Sequence, residues 1–226
     1  ILVAVCDQSR GTSTLACSKI ISPFSLPIDA VRFSHSNSLV IPYVSDDKLG
    51  DMLEEDLVKE FTYHPSSIMR GLVSCVGSDY CNLAAIETKS QALQVAVELE
   101  GKLPEAAPIT MHWSGCPAGC GNHLVADIGL LGKKIKRGDE VIEAVDIYMG
   151  GRTGTHPKLA TKVMEDVPCE QLAKVLEFVT PYHTRQKMHP IKGKKYSKNW
   201  KQASLKSAQK QVKQIEDSIL ETKASH

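Results

Sequence analysis

No stretch of this 226-residue chain approaches the roughly 20 consecutive apolar residues that a membrane-crossing helix needs. The opening ILVAV is too short for a secretory signal and lacks its basic start. The expectation is a soluble intracellular protein, cytoplasmic or, in a eukaryote, in the plastid stroma. Nor is there an excess of charge of either sign: 27 Lys and Arg stand against 26 Asp and Glu. The average field of the molecule therefore points to neither nucleic acid nor an acidic partner. No repeat recurs at solenoid periods. A disulfide framework is missing too. The cysteines number seven, an odd count, and four of them form two tight clusters while Cys6, Cys17 and Cys169 stand apart. In a chain without secretion signals, clustered thiols read as metal ligands or redox centres. The chain opens on Ile1 rather than Met, as a processed or partial chain would.

The β-branched and aromatic stretch Ala30–Val44 suits a strand or strand pair ending at Pro42. Ser45 and the acids Asp46 and Asp47 then cap a helix whose Leu49, Met52, Leu53 and Leu57 share a face. From Asn82 the positions Leu83, Ile86, Leu93 and Val97 keep helical spacing until Gly101, so the first cysteine pair is expected just before a helix. Ile109–Ser114 reads as a short strand delivering the second pair in the glycine-rich loop GCPAGCGNH. VADIGLLG and EAVDIYMGG read as a hairpin with a basic turn at Lys133–Gly138. HPKLATKVMEDV and CEQLAKVLEFV read as two short helices, the second opened by Pro168. The Lys-rich tail carries Leu205, Ala208, Val212, Ile215 and Ile219 at steps of three and four, the stripe of an amphipathic helix that packs on its own domain or docks a partner subunit or second copy.

Chemistry concentrates in Cys75 and Cys81, spaced C-x₅-C, and Cys116 and Cys120, spaced C-x₃-C. Four thiolates on two loops can converge on one inorganic centre, and a cubane iron–sulfur cluster takes four such soft ligands. A helix start after Cys81 would favour thiolate charge. Gly115, Gly119 and Gly121 would let the backbone approach a bulky cofactor. A structural zinc site remains an alternative, although its pairs usually show shorter gaps than C-x₅-C; two disulfides are another. The turn Gly150, Gly151, Arg152, Thr153, Gly154 suits an anion nest, and Asn122 and His123 directly follow the second pair. Lys133, Lys134, Lys136 and Arg137 are weaker anion candidates, and a basic hairpin turn is more often simply solvated. His112 and Trp113 would pack near a cofactor or form plain core.

The segments MRGLVSCVGSDYCNLAAIETKSQAL, WSGCPAGCGNHLVADIGLLG and IYMGGRTGTHPKLATKVMEDVPCEQLAKVLE resemble the C-terminal half of the sirohaem-dependent nitrite and sulfite reductases, ferredoxin-type nitrite reductases most of all. The resemblance runs from about Val31 to Val179 and includes both cysteine spacings and their flanks. It implies an α+β fold: a mainly antiparallel sheet flanked by helices over 66–180, a small ferredoxin-like α/β half-domain over 1–65, and a tail over 181–226 with an amphipathic helix. It implies a [4Fe-4S] cluster on Cys75, Cys81, Cys116 and Cys120, with Cys120 also bridging to the iron of sirohaem. Asn122, His123, Gly151, Arg152, Thr153 and Gly154 would then contact the macrocycle.

The implied activity is reduction of nitrite to ammonium with electrons from ferredoxin or a similar donor, in a half-length chain. Sulfite reduction is the close alternative. A non-catalytic electron-transfer or structural subunit within a larger complex is the alternative of another class. Complete enzymes of the family are about twice this length, and the half not matched here supplies several cations of the substrate-binding face. Candidate replacements are Arg70 and Arg32, with Arg10 and Lys19 behind them.

Overall fold

The protein is described here as a computed structural model covering residues 2–5, 32–34, 38–60, 63–104 and 106–188. Cys6, Arg10, Cys17, Lys19 and the stripe from Leu205 to Ile219 lie outside the described residues.

The N-terminal part forms a three-stranded antiparallel sheet in the order β1-β3-β2, with β1 at Leu2–Val5, β2 at Arg32–Phe33 and β3 at Ser38–Ile41. The strand pair expected over Ala30–Val44 is thus β2 and β3. The following helix divides in two: α1 spans Asp46–Glu54 and α2 spans Asp56–Glu60, with Glu55 in an extended conformation between them. Met52 and Val58 are fully buried, while Leu49 is exposed. Ser45 precedes α1, yet its side chain makes no capping bond.

The larger unit is a five-stranded sheet in the order β4-β5-β6-β7-β8, formed by Leu72–Ser74, Met111–Ser114, Ile128–Arg137, Glu140–Met149 and Thr161–Pro168. The sheet is mixed. β4, β5 and β6 run parallel to their neighbours, and β6, β7 and β8 run antiparallel. Parallel neighbours need a long crossover. Between β4 and β5 it contains helix α3 (Lys89–Lys102); between β5 and β6 it is the loop 115–127. Both cysteine pairs fall in these crossovers. Helix α3 packs on α4 (Leu172–Met188), with Lys102 and Glu177 paired at 2.9 Å. One continuous core, including Ile86, Leu99, Trp113, Leu130, Ile147 and Leu176, fills the space between sheet and helices.

Three expectations are corrected. Helix α3 begins at Lys89 rather than beside Cys81. Its start is set by the Glu87 carboxylate, which accepts the N–H groups of Lys89 (2.6 Å), Ser90 (3.2 Å) and Gln91 (3.1 Å). The face it buries is Ala92, Val95, Ala96 and Leu99, leaving Leu93 and Val97 exposed. The segment read as a helix from His156 to Val167 instead forms strand β8 from Thr161. Two register shifts in its pairing with β7 and a left-handed Asp166 (φ 57°) mark irregularities at which β8 gains a residue on β7 each time. The extra residues break the two-residue alternation, so buried Ala160, Met164 and Val167 fall at helix-like steps. Lys133, Lys134, Lys136 and Arg137 lie within β6, and the turn itself is at Gly138 (φ 63°) and Asp139.

Lys133 is also not free. Asp146, 3% exposed, sits between Lys133 (2.7 Å) and Lys162 (2.9 Å) and accepts the Asp166 N–H at 3.1 Å. Burial works to raise the Asp146 pKa, but the bonds from Lys133, Lys162 and the Asp166 backbone outweigh it and hold the carboxyl below its ordinary 3.8. A depressed carboxyl contributes its stability above the unfolded value and loses it as pH falls through the folded one. Asp146→Asn is therefore expected to lower stability at neutral pH by about 2 kcal/mol. The same change should flatten the loss seen in acid below an ordinary carboxyl pKa, as read by urea unfolding across a pH series.

Candidate metal centre

The first cysteine loop grows from the end of β4. Ser74 pairs with Trp113 of β5, and the Cys75 N–H continues the ladder by donating to the Trp113 carbonyl at 3.0 Å. The Cys75 sulfur is thereby brought to the end of the neighbouring strand, where the Gly115 N–H donates to it at 3.1 Å. Behind it the fully buried Thr88 donates its hydroxyl to the Cys75 carbonyl (2.7 Å) and lies 3.7 Å from the sulfur. The chain then turns sharply at Gly77, whose positive φ of 69° places its Cα against Thr88; a Cβ would stand 2.7 Å from the Thr88 nitrogen. The Gly77 carbonyl accepts the Cys81 N–H at 2.9 Å, and the Ala85 N–H returns to the Gly115 carbonyl at 2.7 Å. Cys81 is therefore fixed by a turn and by contact with the second loop, not by a helix start.

The second loop leaves β5 at Ser114. Successive turns close it: Gly119 N–H donates to the Cys116 carbonyl at 3.1 Å, and Asn122 N–H donates to the Gly119 carbonyl at 2.8 Å. Gly121 folds back over β5 so closely that a Cβ there would collide with the Trp113 carbonyl oxygen. Asn122 is left-handed (φ 55°), its carbonyl 3.2 Å from His112 Nδ1. His123 turns inward, 6% exposed, with Nδ1 3.0 Å from the Ser114 hydroxyl and its ring edge-on to Tyr148 at 5.1 Å. Burial lowers its pKa, so the imidazole is neutral at neutral pH. Asp127, 6% exposed, ends the loop by accepting both the N–H (2.8 Å) and the hydroxyl (2.9 Å) of Thr110.

The turn Gly150–Gly154 packs along this second loop. Gly150 N–H donates to the Asp127 carbonyl at 2.9 Å, and buried Gly151 has room for no Cβ beside the backbone of Leu124 to Ala126. Arg152 and Lys158 then exchange backbone hydrogen bonds of 2.8 and 2.9 Å, and Arg152 Nε donates to the His156 carbonyl at 2.8 Å. Arg152, Thr153 and Gly154 are exposed, as are His156 and Lys158, which the sequence reading passed over. Arg70 precedes β4 and so stands at the opposite end of that strand from Cys75; it reaches the Pro65 carbonyl at 3.5 Å. Arg32 belongs to the small N-terminal sheet. Trp113 is fully buried core.

All four clustered cysteines are free thiols, Cys120 exposed and the other three partly buried. Among the described residues, no three His, Cys, Asp or Glu side chains gather closely enough to hold a single metal ion. The donor set suits a larger centre: four soft ligands on two loops, which branch from adjacent parallel strands and meet at Gly115. A backbone N–H already aimed at the Cys75 sulfur is the kind of bond that stabilises thiolate and cluster charge. Cys169 differs in kind. It packs against the core, and burial, aided by the charges of Glu143 and Glu170, pushes its thiol up to about 12.

Comparison with known proteins finds a matching family and similar chains. The family described as "Nitrite and sulphite reductase 4Fe-4S domain" matches residues 66–200. A ferredoxin–nitrite reductase of Synechococcus elongatus is 42% identical over 146 residues, covering 65% of this chain and 28% of that protein. The chloroplastic ferredoxin–nitrite reductase of Zea mays is 42% identical over 149 residues, covering 65% of this chain and 26% of that protein. The solved structure of the Mycobacterium tuberculosis NirA protein superposes with a TM-score of 0.64 at 27% identity, covering 73% of this chain and 31% of that one. The chain thus spans about a quarter to a third of the length of the relatives it matches.

Proposed function

Because the chain belongs to the nitrite and sulphite reductase 4Fe-4S domain family, we propose that Cys75, Cys81, Cys116 and Cys120 hold a [4Fe-4S] cluster and that Cys120 is shared with the iron of a sirohaem. The observation that carries this reading is the convergence of the two thiol loops at Gly115, whose N–H donates to Cys75 Sγ while its carbonyl accepts from Ala85. Cys120 is the exposed thiol of the four, as a ligand facing a second cofactor must be. The proposed activity is reduction of nitrite with ferredoxin as donor, the activity named for the Synechococcus and Zea relatives. The division into 1–65, 66–180 and 181–226 is part of the same proposal.

When bound, the cluster and macrocycle supply single-electron transfer and an iron able to take a small anion. The chain's own residues do the rest. Gly115 offsets negative charge at Cys75 through its N–H, and Thr88 holds the Cys75 carbonyl so that the sulfur keeps its direction. Arg152, His156 and Lys158 form an exposed basic hairpin pinned to the segment after Cys120, suited to the carboxylates of a sirohaem. Arg70, at the far end of β4 from Cys75, and Arg32, on the N-terminal sheet, remain the candidates for substrate-facing cations.

An absorbance spectrum of the purified chain, with iron and acid-labile sulfide counts, tests the reading. The expected result is a cubane complement of iron and sulfide together with sirohaem bands that change on adding nitrite. Absence of sirohaem bands would sink it. Bands that respond to sulfite alone would assign sulfite reduction, and bands indifferent to both anions a non-catalytic role.

A further inference from the structure

The residues that follow Cys120 are fastened to the end of β5 one after another. Gly121 donates its N–H to the Ser114 hydroxyl at 3.2 Å, Asn122 offers its carbonyl to His112, and His123 brings Nδ1 to within 3.0 Å of the same Ser114 hydroxyl. Ser114 is 1% exposed and His123 6%, so neither group finds water in place of the other. The pairing is complete. With one lone pair of the hydroxyl taken by the Gly121 N–H, the Ser114 hydroxyl and His123 Nδ1 share a second hydrogen bond, donated by whichever of the two carries the proton. Gly121, pressed on the Trp113 carbonyl, cannot shift toward the sheet, and the left-handed Asn122 fixes the direction in which the chain leaves. These contacts leave the Cys120 backbone little freedom.

We propose that Ser114 and His123 act as a buried hydroxyl–imidazole brace that positions the Cys120 sulfur between its two cofactors. His123 is then a positioning residue rather than a contact of the macrocycle. The inference rests on Cys120 being the shared ligand. Its chemical content is that a ligand common to two centres must meet a fixed distance to both, and bonds behind such ligands set their orientation.

The test uses the cofactor-loaded full chain and two readouts other than turnover, the visible spectrum and the rate of iron release to a chelator. Ser114→Ala is expected to shift the macrocycle bands and release iron about ten-fold faster, with Ser114→Thr restoring both. Wild-type bands and release in Ser114→Ala would overturn the brace, and so would equally fast release from Ser114→Thr, since packing and not the hydroxyl would then matter. Should Ser114→Ala not fold, His123→Leu, which removes the ring's hydrogen bond to Ser114 together with its contact to Tyr148, is compared with Tyr148→Leu, which removes the ring contact alone: faster release from His123→Leu only supports the brace, and wild-type release from His123→Leu, or equal release from both, overturns it. A wild-type chain that takes up neither cofactor would defeat the underlying reading, a result distinct from any of these.

Discussion

Replacing Cys120 by Ser is expected to give a folded chain with no sirohaem bands and a depleted or altered cluster. A serine oxygen is a hard, weakly coordinating ligand where a soft thiolate is needed, and on the proposed assignment the change would remove a ligand that both cofactors share. Cys120 is exposed and outside the core, so thermal stability should change by no more than about 0.5 kcal/mol. The comparison that gives the result meaning is Cys169→Ser. That thiol is held protonated by its burial and lies against the core, so its loss should spare both cofactors. Retention of sirohaem by the Cys120 variant would show that another residue carries the bridge.

The second large effect is expected at Gly121. An added methyl there meets the Trp113 carbonyl, which is backbone and cannot swing aside, and also approaches the Ser114 oxygen at 3.1 Å. Either β5 or the loop must move. Gly121→Ala should therefore destabilise the chain by about 3 kcal/mol in urea unfolding and displace the Cys120 loop, with loss of sirohaem uptake. Gly138→Ala is the control. Its φ of 63° imposes strain, but nothing lies within 4 Å of its added carbon, so its cost should stay near 1 kcal/mol with cofactor uptake intact.

The four proposed ligands stand out in the sequence because their information is local: soft side chains, fixed spacing and glycines on either side. Their convergence is less visible in the sequence, since it depends on β4 and β5 being neighbours. A strand, a helix and a second strand in succession do point to a parallel pair, and that signal lies in Leu72–Ser74, Lys89–Lys102 and Met111–Ser114. The helix boundary was misplaced because Leu83 and Ile86 match helical spacing while Glu87, the residue that starts the helix, caps it from a side chain. Strand β8 was concealed by its two register shifts. Ser114 and Thr88 escaped notice because a hydroxyl shows its purpose only once its partners are in place.

The packed interior contains none of the four clustered cysteines. Small metal-dependent domains commonly stay unfolded until they are loaded, because the metal itself supplies their folding energy. Here sheet, helices and the Asp127 and Asp146 anchors hold together through contacts that owe nothing to iron. On the proposed assignment the polypeptide is therefore expected to fold first, as an acceptor with its loops already shaped, and delivery of the cofactors to complete it.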